Sequence, residues 1–232
     1  MKKNVLVLLA ISTLMSCSGQ SLDLSKIDFS KPAADYLGKL ELSDVKTQKG
    51  HWELTGTDED DEPVLKDNGE TSKVYSFNDA SDMAKLNFSG HAFDNAVGGR
   101  IVEYKGKLVF YSFYLDKRKT FDVLNNLKEL LGKPSGYVQD TISVSNTAVS
   151  LLKKGLPAAD VKVVKDEMGE QFVYPEQFIW KKDNVIYQYT LVDGTTVIEG
   201  KIVAIEVNAF KDRIIFGYHL PDENPVLSPY IK

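Results

Sequence analysis

Residues 100–131 read RIVEYKGKLVFYSFYLDKRKTFDVLNNLKELL, and the period of their apolar side chains changes once along the way. Arg100–Tyr104 and Leu108–Leu115 are rich in β-branched and aromatic residues, and Lys105-Gly106-Lys107 between them is turn-forming. That is the pattern of a β-hairpin. From about 119 to 131 the spacing becomes helical. Phe121, Val123, Leu124, Leu127, Leu130 and Leu131 recur at three and four residues, with Asp122, Asn126, Lys128 and Glu129 mostly opposite. Thr120 or Asp116 supplies the cap, and Gly132 followed by Pro134 ends the helix.

Toward the C-terminus four further strands are expected, at Gln177–Lys181, Val185–Val192, Lys201–Phe210 and Arg213–His219. Asp183-Asn184 and Lys211-Asp212 are plausible tight turns, and Asp193-Gly194 opens a longer one. A shorter helix is expected within 143–154 and a strand at Val161–Val164. Toward the N-terminus, residues 50–77 read as strand, acidic loop, strand. Strands outnumber helices and short turns join neighbours. The expected fold class is therefore α+β, a mainly antiparallel sheet with one long amphipathic helix (about 119–131) and a second short one packed on one face, a two-layer sandwich. One domain is expected over 44–220, with residues 17–43 as tether and entry segment and a Pro-rich tail at 221–232.

The first residues carry an address. Lys2 and Lys3 precede an apolar run from Val5 to Met15, too short for a permanent span of about 20 residues but of the length of a secretory signal. It closes on Leu14-Met15-Ser16-Cys17, which resembles the lipobox of bacterial lipoproteins, although Met15 is a less usual occupant of its position. The resemblance covers about twenty residues. It implies removal of residues 1–16, diacylglycerol on the Cys17 sulfur and a membrane as partner through that lipid. Cys17 is the only cysteine, so it has no internal disulfide partner. Ser18 follows the cysteine where an aspartate would suggest inner-membrane retention, so the periplasmic side of the outer membrane is the expected location.

The mature chain shows little chemistry. With Lys2 and Lys3 removed the formal charge moves from −5 to −7, which disfavours nucleic acid as a partner. Asp58-Glu59-Asp60-Asp61-Glu62 lacks the offsets of an EF-hand and reads as a solvated loop. His51, His91 and His219 are far apart in sequence without H-E-x-x-H, and Phe88-Ser89-Gly90-His91 lacks a nucleophile elbow. Leu131-Gly132-Lys133-Pro134-Ser135 follows a helix instead of preceding one and is a helix stop, not a phosphate loop. No catalytic residue, metal or cofactor is assigned.

What remains is aromatic. Both alternating faces of Leu108–Leu115 are apolar: Leu108, Phe110 and Tyr114 on one, Val109, Tyr111, Phe113 and Leu115 on the other. One face packs under the helix. The other is covered by residues 22–43 or by the tail, the commoner outcome, or else Tyr104, Phe110, Tyr111, Phe113 and Tyr114 form an exposed binding surface. The leading functional expectation is a non-enzymatic protein- or ligand-binding module. The alternatives are a structural or assembly subunit at the outer membrane and a cell-wall or glycan hydrolase.

Overall fold

The computed structural model describes residues 21–57, 63–167, 169–193, 197–217 and 219–231. Cys17, the acidic run 58–62 and Gly194 lie outside the described residues.

The hairpin forms where the alternation places it. β5 (Gly99–Tyr104) and β6 (Lys107–Tyr114) pair antiparallel. Lys105 and Gly106 between them both adopt positive φ, 51° and 75°. This is the mirror-image turn whose twist matches the flanking strands, and glycine takes it without a Cβ penalty. The register then slips: Val102 faces Phe110 while Glu103 faces Leu108, leaving Val109 as an extra residue. Val109 and Phe110 consequently sit in one apolar cluster, and Leu108, Tyr111 and Phe113 in another. The strict alternation expected from sequence is broken at that bulge.

Around the hairpin the chain adds β2 (Val45–Thr57) and β3 (Pro63–Phe77) on one side, and β9 (Gly169–Lys182), β10 (Val185–Asp193) and β11 (Ile198–Glu206) on the other. β7 (Gly136–Ser143) and β8 (Lys162–Asp166) both pair with β9. The result is a nine-stranded antiparallel sheet in the order β2-β3-β5-β6-β11-β10-β9-β7, with β8 off that path. A separate two-stranded parallel pair joins β1 (Leu22–Asp23) to β4 (Leu86–Asn87).

Both faces of the sheet are covered. On one, Tyr111, Phe113, Phe178, Trp180, Tyr189 and Ile202 pack against α3 (Thr120–Leu131), α4 (Ala148–Gly155) and the N-terminal segment. That segment buries Leu24, Ile27, Phe29, Ala33 and Leu37, and includes the single turn α1 (Ala34–Leu37). Burying each large apolar side chain contributes about 1.5–3 kcal/mol, so the segment belongs to the folded body and is more than a tether. On the opposite face, α5 (Val207–Lys211) and the tail residues Leu227 and Ile231 cover Val102, Phe110, Ile179, Ile186 and Ile205. The remaining helix, α2 (Ala80–Met83), is one turn capped by Asp79.

This overturns the two-layer α+β expectation. Strand makes up 46% of the structure against 23% helix, and the fold is largely a β sandwich with short helices. The reason is dimensional. α3 has 12 residues, about 18 Å of helix, against a sheet about 40 Å wide. One such helix cannot cover a face, and coil, tail and short helices do the rest. Two local expectations also change. The alternation Val203, Ile205, Val207, Ala209 does not continue as strand, because the Glu206 carboxylate accepts from Ala209 N at 2.7 Å and starts α5. Arg213–Gly217 forms no strand.

Candidate functional site

The aromatic residues of the hairpin are core. Tyr111 and Phe113 are fully buried and Tyr104 and Phe110 nearly so, while Tyr114 is half-buried. Phe29 of the N-terminal segment stacks on Tyr111 with ring centroids 6.0 Å apart, and the tail lies over the Phe110 side. Phe110, Tyr111 and Phe113 therefore hold the sheet to its cover and present no surface, whereas Tyr104, though largely buried, keeps an edge on the groove described next.

A groove of about 1050 Å³ opens at one end of the sheet. It forms because three features finish there: the β5–β6 turn, the β9–β10 turn and the step from β11 into α5. Its apolar lining includes Phe29, Phe88, Val109, Leu127, Leu130 and Tyr187. Ala33 N donates to Gly106 O at 2.8 Å and Pro32 bridges to Lys107, which holds the N-terminal segment against the hairpin turn as one wall. The rim alternates in charge, with Lys105, Lys107 and Lys182 beside Asp28, Asp183 and Asp212.

Tyr187 stands between the two kinds of lining. Its ring meets Phe29 edge-on at 6.4 Å, and burial, with Asp183 and Asp28 nearby, pushes its hydroxyl up to about 12. It stays a neutral donor at neutral pH. Behind the wall, Tyr111 carries a fully buried hydroxyl with no hydrogen-bond partner among the described residues, and burial raises it well above the ordinary phenol value. Two of the groove's carboxylates are already engaged. Glu206 caps α5 and accepts from Asn184 and from Asn208 Nδ2 at 3.0 Å. Asp28 accepts from the hydroxyl and N–H of Ser30, which hold it below the usual carboxylate range.

The other sequence candidates do not converge. His91 contacts Asn126 Nδ2 at 2.9 Å in a tight turn where Phe88 and His91 exchange both main-chain bonds. Ser89 N in that turn donates to Asp23. His51 lies on β2 opposite Lys66. Glu176, raised by burial and by Asp140, belongs to β9 and does not line the groove. Among the described residues no group of three or more His, Cys, Asp or Glu is placed to hold a metal, and no helix is long and apolar enough to cross a membrane.

The chain matches no family model, no curated protein and no solved structure with which it was compared. The groove is therefore read on its own geometry. Sequence reading missed it because Lys182, Asp183, Asn184 and Asp212 look like ordinary turn residues. Only the strand order β6-β11-β10 brings their turns to one end. The one available signal was the pair of prospective turns at 183–184 and 211–212, which does not reveal that they are neighbours.

Proposed function

We propose that this chain is a lipid-anchored bacterial envelope protein, held through Cys17 on the periplasmic side of the outer membrane, whose folded body is a binding module that takes its ligand in the groove. The observation that carries the binding reading is the lining: an apolar floor of Phe29, Tyr187 and Leu127 within a rim of both charge signs. Such a site grips an amphipathic ligand or a protein segment through its apolar part and orients it through the rim. Glu206 and Asp28 already serve the fold, which favours binding over acid–base chemistry. The anchor reading rests on Leu14-Met15-Ser16-Cys17.

Two experiments test the two halves. Radiolabelled palmitate is expected to enter the protein and to be lost on Cys17→Ala; equal labelling of the variant refutes the anchor. A photo-crosslinker at Leu130, on the rim and 49% exposed, is expected to give a discrete adduct in intact envelopes that fades in Tyr187→Ala. The same group at Val163, on β8 and 51% exposed, is the control. No adduct at Leu130, or the same adducts at both positions, refutes the groove.

A further inference from the structure

The end of the sheet remote from the groove carries its own pattern. There Arg100 on β5 and Lys201 on β11 flank Ser112 and Tyr114 of β6: Arg100 is in register with Ser112, and Lys201 with Tyr114. Both cations project on the face that carries Phe110 and Ile205. The Arg100 guanidinium carbon lies 5.2 Å from the Phe110 ring centre and the Lys201 ammonium 5.2 Å from that of Tyr114. Neither has an ion-pair partner among the described residues. Burial draws both below their ordinary values, and Arg100 adds to the effect on Lys201. Arg100 is exposed and Lys201 half-buried, so an anion arriving there meets two reachable cations that no carboxylate of the fold neutralises.

The carboxylates nearby do not fill the role. Asp94 accepts from Ala96 N at 2.7 Å, and Asp116 pairs with Arg118. Glu199, two residues before Lys201 on the same strand face, makes no ion pair with it. Two more features belong to this end. Val97, in the loop entering β5, is 51% exposed, and Lys117 is exposed just beyond β6.

The chain also emerges here. Ser21 shares a cleft with Phe93 and Asn95. Phe93 bridges to Leu115, and Asp94 N donates to Tyr114 O at 2.9 Å. Three residues lie between Cys17 and Ser21, and the four steps from one to the other span about 14 Å at full extension. Lipid on Cys17 would hold this end of the body close to the bilayer surface.

We infer that Arg100 and Lys201, with Val97 beside them, form a docking face for the phosphates of anionic phospholipid headgroups in the membrane that holds the anchor. The inference rests on the lipid-anchor reading and adds an orientation to it: the sheet end bearing Arg100 lies on the bilayer and the groove points away. Cations, an exposed aliphatic side chain and a ring at the interface are the elements of such a contact.

The test uses the mature, acylated protein reconstituted in vesicles of phosphatidylcholine, with or without about one-third phosphatidylglycerol. A fluorophore on Val97→Cys reports quenching by a headgroup-level spin label. Quenching is expected in the anionic vesicles, and Arg100→Gln with Lys201→Gln is expected to lower the docked-to-undocked ratio by about 25-fold, each cation near the surface being worth about fivefold. Lys162→Gln, at the sheet's other edge, serves as control and is expected to leave it unchanged. Equal quenching in neutral vesicles, or in the double variant, overturns the inference. If the double variant fails to fold, a salt series on the parent decides: release by about 0.5 M NaCl supports the contact, and indifference to salt refutes it. Displacement by millimolar inorganic phosphate in detergent without anionic lipid would mark a soluble-anion site and also overturn the lipid assignment. Palmitate incorporation without anionic-dependent quenching sinks this inference alone, whereas absence of palmitate sinks the anchor reading as well.

Discussion

The Tyr189 hydroxyl donates to the main-chain oxygen of Thr120 at 2.6 Å, from the centre of β10 to the first residue of α3. Thr120 in turn donates its hydroxyl to Ile198 O at 2.8 Å, so the first turn of the helix is tied to two strands. Both side chains are buried, and burial raises Tyr189 above its ordinary value, keeping it a donor throughout the physiological range. Tyr189→Phe is expected to lower the unfolding free energy by about 1 kcal/mol, more if the Thr120 oxygen finds no other donor. Gly200→Ala should cost more, because a methyl there collides with the Tyr189 hydroxyl. Urea titrations check both, and an unchanged midpoint in Tyr189→Phe would show that the bond contributes nothing net.

Tyr111 offers the opposite case within the same face of the sheet. Its hydroxyl is buried and has no partner among the described residues, so Tyr111→Phe removes a desolvation cost and is expected to stabilise by about 1 kcal/mol. A loss of stability on that substitution would mean that a water or ligand pairs with the hydroxyl in solution.

Gly132 ends α3 at φ 80° and ψ −156°, a region open to glycine alone, while its carbonyl accepts from Trp180 Nε1 at 2.8 Å. Gly132→Ala is expected to cost about 1–3 kcal/mol and to disturb the Trp180 environment together with stability. Thermal unfolding followed by tryptophan fluorescence reads both; unaltered unfolding would disprove the strain.

The acid limb of stability should report on Asp82. Its carboxylate is buried, meets the Lys85 ammonium at 2.6 Å and accepts from Ser43 at 2.9 Å. The Lys85 bond holds it below the ordinary carboxylate value against the opposing effect of burial, with Ser43 assisting. A carboxyl lower in the folded than in the unfolded chain contributes stability that is complete above the unfolded value, about 3.9, and disappears as pH falls through the folded one. Stability is therefore expected to fall below about pH 4, and Asp82→Asn to be less stable at pH 7 with a shallower fall. Urea midpoints between pH 2 and 7 provide the check; parallel curves for the two proteins would contradict it.

Phe29→Ala should separate the N-terminal segment from the sheet. Phe29 contacts both Tyr111 and Tyr187, and the truncation is expected to cost about 3 kcal/mol. It should also widen the groove wall and weaken the Leu130 crosslink. A loss of stability below about 0.5 kcal/mol would show that the segment lies on the body without holding it.

Much of the centre of the fold was legible. Lys105-Gly106 marks a turn, and the spacing of Val123, Leu124 and Leu127 marks a helix that begins at Thr120 and stops at Gly132. These signals are local, and local patterns survive in sequence. β2 and β3 were only half visible because Lys46, Thr47, Gln48, Lys49, Asp67, Asn68 and Gly69 show no apolar alternation; what makes them strand is pairing with each other. The wide sheet escaped for a related reason: β7 finds β9 across a distance in sequence that no period records, although β8, expected at Val161–Val164, meets β9 through residues 167–168 alone. The end of β11 misled differently: Ile205, Val207 and Ala209 alternate like strand residues, but the Glu206 cap lets Val207 and Ala209 reach the core from a helix. The groove was illegible because it is made by neighbours in space.

The two-residue parallel pairing of Leu22 with Leu86 has a mechanical meaning. Tension entering the body at Ser21 runs along β1 and loads its bond from Leu22 N to Lys85 O in shear. Leu24, Ile27 and Phe29 would then have to be drawn out of their sockets one after another before any strain reached the hairpin. The segment thus behaves as a fuse: under pull it yields first, uncovering Tyr111 and one wall of the groove while the broad sheet stays whole.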